Sequence, residues 1–374
     1  MQALPIKICF VAHNAYGALA GYDTGHIGGI ERQQALMAAW LADNGHQVSM
    51  ITWDEGHGSC EIKGVRVFTF GCREDGLPGL RFFHPRWTGL TRAMKQADAD
   101  IYYYNCGDLG LGQLALWTRK HSRKTVYSVA SEPDCDPQLP TLKPWRERLL
   151  YRYGLHHSDQ VIVQTRRQQA MLRTGFGISA DIIPMPCSGF TAKQAIDLDH
   201  AAPRILWVGR FSPEKRLDWL LDVAEALPQY NFDVAGAANA PTEYTRRLHQ
   251  RAESLPNLIL HGRLVHHDLG LLYNRACLLC CTSVFEGFPN TFLEAWSVGL
   301  PIVSTFDPDN LIASEGLGRT ASSVAEIRKG ITAFLTNKEL WQQTSSAAQA
   351  YFNTHHTLEA VMPRFVQLFQ HISN

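Results

Sequence analysis

The feature that most restricts the fold of this chain is an alternation, run twice, between short apolar segments rich in Ile, Val and aromatics and longer segments with helical spacing. Ile6 to Ala12, Val48 to Trp53, Val65 to Phe70, Ile101 to Tyr104, Thr125 to Ala130 and Val161 to Gln164 read as strands, with a helix over Ile30 to Asn44. Strands this apolar belong in a parallel sheet covered by helices. The pattern breaks at Ile183 to Pro203, where Pro184, Pro186, Gly189 and Pro203 punctuate a stretch without sustained period, as a linker would. It then restarts, with strands at Ile205 to Val208, Phe232 to Ala235, Leu258 to His261, Leu278 to Thr282 and Ile302-Val303, and a helix from Pro213 to Leu227. Val324 to Ser373 is helical by pattern. The fold class is therefore α/β, with two doubly wound domains over 1–185 and 186–350 and a helix over 351–374 packing back on the first. Such sheets take ligands beyond the carboxyl ends of their strands, which here means between the halves.

Composition narrows the partners. Lys plus Arg equals Asp plus Glu at 35 each, so no overall field draws the chain to nucleic acid or to an acidic membrane, and any anion site must be local. Nine cysteines, several in apolar runs, suit reduced thiols in the cytoplasm better than a disulfide framework. Cys277 and Cys280 have zinc-like spacing but lack a second pair, so no metal is expected. Ile8 to Ala12 is too short for a signal peptide, ending at His13 and Asn14, and no window approaches the roughly 18 apolar residues of a membrane span.

Three segments carry chemistry. Glu286 to Ser304 places two glutamates across a strand-to-helix turn: Glu286 in the loop and Glu294 in the following helix, both able to face one pocket. Backbone N–H groups around Asn290 to Phe292 offer an anion site at the helix start. In Val208 to Arg216, Arg210 and Lys215 flank a second such turn, where two fixed cations can hold a diphosphate and stabilise its charge as it leaves. His26-Ile27-Gly28-Gly29-Ile30-Glu31 opens the first helix, and its glycines let a backbone approach a phosphate. The adjacent glycines and the long preceding loop do not fit a dinucleotide fingerprint, which sets a nicotinamide-dependent dehydrogenase aside.

Together these segments resemble glycosyltransferase family 4, group 1, over nearly the whole chain, most specifically from Val208 to Ser304. The resemblance implies the GT-B fold, two facing Rossmann-like domains with a C-terminal helical crossover, and a retaining, metal-independent hexosyltransferase without cofactor. By similarity, Arg210 and Lys215 would contact the donor diphosphate, Glu286 the donor sugar and Glu294 the ribose. Gly28, Gly29, Gly209, Gly287, Phe288, Asn290 and Thr291 would complete the donor site, with Arg263 and Leu264 of His261-Gly262-Arg263-Leu264 beside the base. The donor would be a nucleotide-diphosphate sugar, UDP over GDP. The acceptor would be a saccharide or a lipid-linked molecule, used in bacterial cell-surface polysaccharide or glycolipid synthesis. A nucleotide-sugar epimerase or a non-catalytic nucleotide-sugar binder on the same scaffold stay as alternatives.

One stretch departs from the family. The histidine that many members carry after a strand of the first domain is absent from Tyr127 to Asp136. Either a backbone carbonyl and Ser131 take its role, or a carboxylate of Glu132, Asp134 or Asp136 lines the acceptor site, Asp134 and Asp136 being the preferred candidates. Arg81 to Lys95, with Phe82, Phe83 and Trp87, and Lys143 to His157, with Trp145, Tyr151 and Tyr153, mix cations with aromatics as a surface resting on the inner face of an anionic membrane would. Closure of the two domains over the donor, hinged at Pro184 to Pro203 and at the C-terminal crossover, is a further expectation.

Overall fold

The computed structural model describes residues 5–22, 24, 28–77, 80–191, 203–238 and 240–373. It divides into two compact units, Met1–Pro186 with Leu358–Asn374, and Cys187–Thr357. His26, Ile27 and most of the expected linker lie outside the described residues.

In the first unit, β1 (Lys7–Val11), β2 (Gln47–Thr52), β3 (Cys60–Ile62), β4 (Val65–Thr69), β5 (Ile101–Tyr104), β6 (Lys124–Ser128), β7 (Gln160–Val163) and β8 (Asp181–Ile182) form one sheet ordered β3-β4-β2-β1-β5-β6-β7-β8. Neighbours run parallel except β3, which is antiparallel to β4. The central strands are buried on both faces because helices cover both: Ile8 and Phe10 enter one core, Cys9 and Val11 the other.

The second unit repeats the plan with β9 (Arg204–Val208), β10 (Asn231–Ala235), β11 (Leu258–Gly262), β12 (Leu278–Cys281), β13 (Ile302–Ser304) and β14 (Gly318–Thr320), all parallel, ordered β11-β10-β9-β12-β13-β14. Cys277, Cys280 and Cys281 are buried in or beside β12. Three strands were not visible in the hydrophobic pattern, namely β3, β8 and β14. All are edge strands, too short to establish a period.

Two boundaries differ from the sequence reading. The helix expected over Pro213 to Leu227 is a single tight turn, Pro213–Lys215, and a helix, Leu217–Ala226, parted by Arg216 in the left-handed conformation (φ 46°, ψ 51°). The chain re-enters the first unit at Leu358 instead of 351, because Lys338–His355 is one helix of the second unit with Trp341, Ala348 and Phe352 buried.

The helix Leu358–Ser373 places Val361, Met362, Phe365 and Phe369 on one face, at the spacing that helical periodicity requires. Phe365 and Phe369 meet the Tyr103 ring at 6.4 and 6.3 Å and share its core with Phe10. Phe365 is fully buried, so Phe365→Ala should cost about 3 to 5 kcal/mol of stability, read from urea unfolding. An unchanged midpoint would mean that this helix does not hold the first core.

Candidate active site

In the second sheet the strand order reverses at β9: β10 and β11 extend to one side, β12 to β14 to the other. The loops leaving β9 and β12 therefore diverge from neighbouring strands and open a crevice above the sheet. On the other side of β9 the backbones leaving β9 and β10 nearly touch. Gly209 N–H donates to Ala235 O at 3.0 Å, and a Cβ on Gly236 (φ 138°) would lie 1.8 Å from Gly209 O, so only glycine fits there.

The two loops are bonded to each other. Val284 N–H donates to Glu214 O (2.8 Å), Thr282 Oγ1 to Lys215 O (2.6 Å) and Trp207 Nε1 to Thr282 Oγ1 (3.0 Å). Arg216 donates from Nε to Thr282 O (2.7 Å) and from a terminal nitrogen to Ser283 O (3.3 Å), and its guanidinium lies 3.9 Å from the Trp219 ring centre. A non-glycine residue in the left-handed region costs about 1 to 2 kcal/mol, which two charge-assisted hydrogen bonds and a cation–π contact offset. Beside this turn Lys215 Nζ forms an ion pair with Glu286 Oε1, and Ser283 Oγ donates to the same oxygen at 2.6 Å. Both side chains of the pair are mostly sheltered, at 19% and 16% exposure.

Arg210 is different. Its side chain is 62% exposed and stands 3.7 Å from Glu214, whose carboxylate also accepts from Ser212 Oγ at 2.6 Å. Glu294 is buried, in the middle of the helix Asn290–Ser297, and its Oε2 accepts from Tyr273 Oη at 2.8 Å. The helix start also departs from expectation. Phe292 N–H is taken by Pro289 O at 3.0 Å, so the amides without an intrahelical acceptor there are those of Asn290 and Thr291. Gly287 is buried, and Phe288 packs between Trp296 and His356.

Near Arg263 and Leu264, the His261 ring is engaged by structure: Nε2 lies 2.6 Å from Asp233 Oδ1. Burial alone would raise the Asp233 carboxyl, yet Arg204, His261 and Arg275 around it hold it below its ordinary value. Arg263 itself is exposed.

The first unit has its own reversal, at β1, with β2 on one side and β5 on the other. Gly28 and Gly29 open the helix Gly29–Asp43, but Gly28 N–H donates to Glu31 Oε2 at 2.9 Å, so that amide is already engaged by a carboxylate. Ser131 and Asp134 cap one short turn: Ser131 N–H and Oγ both donate to Asp134 Oδ2, at 2.9 and 3.1 Å. Asp136 accepts from Gln138 N–H at 2.8 Å. Two groups at this end of the sheet were not singled out from sequence. His13, two residues past the end of β1, lies among the rings of Trp53, Phe70 and Tyr104, and burial lowers its proton affinity. Asp108, in the loop after β5, accepts from Tyr104 Oη (2.6 Å) and Gly110 N–H (2.7 Å). Their position just beyond adjacent strand ends was the available signal.

The two stretches expected to rest on a membrane are only partly exposed. Tyr151 is fully buried, donating to Asp134 O at 2.7 Å. Phe83, Trp145 and Leu149 are exposed, and Arg146 lies 5.3 Å over the Phe82 ring, joining the two stretches. Among the described residues no helix is long and apolar enough to cross a membrane.

Comparison with known proteins matches residues 202–337 to the model for glycosyl transferases group 1 and residues 28–187 to that for the glycosyl transferase 4-like domain. Among curated relatives, the GtfA subunit of the UDP-N-acetylglucosamine–peptide N-acetylglucosaminyltransferase of Streptococcus parasanguinis is 26% identical over 164 residues, 41% of this chain and 32% of that protein. The mannosylfructose-phosphate synthase of Agrobacterium fabrum is 26% identical over 216 residues, 51% and 46% of the two chains. The chain thus spans about a third to a half of the length of these relatives. Among solved structures, a sucrose-phosphate synthase from Thermosynechococcus elongatus superimposes with a TM-score of 0.79 at 17% identity, covering 98% of each chain. HepE from Anabaena, in complex with UDP and glucose, gives 0.76 at 18%, covering 97% of this chain and 99% of that one. WaaG, a glycosyltransferase involved in lipopolysaccharide biosynthesis, gives 0.70 at 18%, covering 97% and 99%.

Burial raises the Asp134 carboxyl from its ordinary 3.8 to about 6. The native state then holds this proton more tightly than the unfolded chain, so the group's destabilising contribution is full above pH 6 and fades as pH falls towards 4. Relative to Asp134→Asn, the wild type should gain on the order of 2 kcal/mol between pH 7 and pH 4 in urea unfolding. A constant difference between the two proteins would assign the proton elsewhere.

Proposed function

Because the chain belongs to the group 1 glycosyltransferases of family 4 and has their GT-B fold of two Rossmann-like units, we propose that it is a retaining, metal-independent hexosyltransferase. It moves a sugar from a UDP-sugar to a hydroxyl of a saccharide or lipid-linked acceptor, in bacterial cell-surface polysaccharide or glycolipid assembly. The observation that carries this reading is the grouping of Lys215, Glu286 and Ser283 at the strand-order reversal of the second sheet, directly before the start of the helix Asn290–Ser297. UDP as the carrier is supported by the HepE structures, which hold UDP and UDP-glucose.

In this reading the diphosphate lies against Lys215, Arg210 and the amides of Asn290 and Thr291, while Glu294 receives the ribose and Glu286 the sugar hydroxyls. The departing phosphate oxygen accepts the proton of the incoming hydroxyl on the same face, and the cations stabilise the charge that develops there. Glu286 already shares one oxygen between Lys215 and Ser283, which suits a binding group better than an attacking one. Catalysis then rests on positioning and electrostatics. Ser131, Asp134 and Asp136 are kept as acceptor-side groups, with Asp134 and Asp136 acting through the loop they brace.

Lys215→Ala and Arg210→Ala should each lower turnover about 30- to 1000-fold, with the larger loss at the sheltered Lys215. Thermal unfolding with UDP, GDP and ADP and their sugars, with and without chelator, tests the donor class. A ligand at 100 times its dissociation constant adds about 2.7 kcal/mol. A chelator-insensitive rise with UDP supports the proposal. No rise with any nucleotide would leave the fold without a working donor site, and binding without transfer to any acceptor would favour the non-catalytic alternative.

Contact with an anionic bilayer is part of the same proposal. Its support is the exposed Trp145 and Leu149, one helical turn apart, with Phe83 and the cations Arg146 and Lys143 near them in sequence or space. Co-sedimentation with phosphatidylglycerol vesicles at low salt should fall several-fold in Trp145→Ala/Leu149→Ala. Wild-type protein that stays in the supernatant would remove this part.

A further inference from the structure

Beside Lys215 the backbone takes the left-handed form that glycine adopts without strain, and this chain puts an arginine there. Nothing in the turn's backbone requires a side chain at that point, so the side chain must return what the backbone costs. Its contacts say how. Nε and a terminal nitrogen of Arg216 reach the carbonyls of Thr282 and Ser283, and the guanidinium lies 3.9 Å from the ring centre of Trp219, in the helix that follows. The cation is thus spent on the protein itself and is not directed at a ligand.

The two carbonyls are the informative part. Thr282 is the residue whose hydroxyl donates to Lys215 O, and Ser283 is the residue whose hydroxyl donates to Glu286 Oε1. Lys215 pairs with that same carboxylate oxygen. One guanidinium therefore fixes the peptide that orients Glu286 and, through Thr282, the peptide that carries Lys215. We infer that Arg216 is a positioning residue for the donor site, setting the Lys215 ammonium and the Glu286 carboxylate in register by tying the loop after β9 to the loop after β12. The inference rests on the assignment of Lys215 to the donor diphosphate.

The test is a double-variant cycle read by calorimetric titration with UDP, which needs no acceptor. Arg216→Gly keeps the backbone form and removes the tie, so the fold should persist while UDP binding weakens about tenfold. In a Lys215→Ala background the same change should weaken binding by less than about twofold, because the group it positions is gone. Arg216→Lys, able to lie on Trp219 and reach one carbonyl, should recover most of the affinity. Should Arg216→Gly unfold, Arg216→Asn, which also tolerates this backbone form, carries the same comparison. Arg216→Gly with wild-type affinity beside an impaired Lys215→Ala, or losses that multiply in the double variant, would overturn the inference alone. Wild-type affinity in Lys215→Ala, or no UDP binding by the parent protein, would instead bring down the diphosphate assignment and this inference with it.

Discussion

Much of the chemistry described for this chain depends on one topological constraint: in each sheet the order of the parallel strands reverses once, at β1 and at β9. Parallel strands need crossovers, and crossovers on opposite sides of a reversal carry their helices to opposite faces. The loops at that point are left adjacent with no helix between them. What this sequence adds is the means of holding the second pair of loops together, since exposed loops would otherwise wander and lose the geometry that a charged ligand needs. Hydrogen bonds across the gap from Thr282 and Arg216 do that work, while Gly209 and Gly236 let the ends of β9 and β10 close up beside it.

The charges at and around the candidate site of the second unit come in partnered form. Lys215 stands with Glu286, Arg210 with Glu214, Glu294 with the Tyr273 hydroxyl, and Asp233 with two arginines and a histidine. A partly buried ion kept alone would lose hydration without return, and pairing limits that cost. It also fits a chain whose acidic and basic residues balance at 35 each: with no net field to attract an anion over distance, recognition has to come from groups already aligned at contact range.

The two-domain plan was legible because buried parallel strands leave long apolar runs, and every central strand lies within a residue or two of where its run suggested. The edge strands β3, β8 and β14 were not, since two or three residues paired on one side establish no pattern. In the site, the order of Arg210, Lys215, Glu286 and Glu294 along the chain was visible, but not which would meet. Lys215 and Glu286 pair while Arg210 stays exposed, and the residue after Lys215, Arg216, takes a left-handed conformation that residue type alone argues against. The carboxylates near Ser131 were legible as acceptor-side candidates, but not the local bonds each makes: Asp134 accepts from Ser131 and Asp136 from Gln138.

The return of Leu358–Ser373 to the first unit has a consequence for the order of events during synthesis. The first unit is discontinuous, with the whole of the second inserted into it. A ribosome therefore completes β1 to β8, and then the entire second unit, before the helix that covers Phe10 and Tyr103 has been made. During that interval the second unit has all of its own strands and can fold, whereas the first carries an open apolar groove that only later residues of the same chain can close. The half built first is the half finished last, and chaperone binding or self-association of the nascent chain would be directed at that groove.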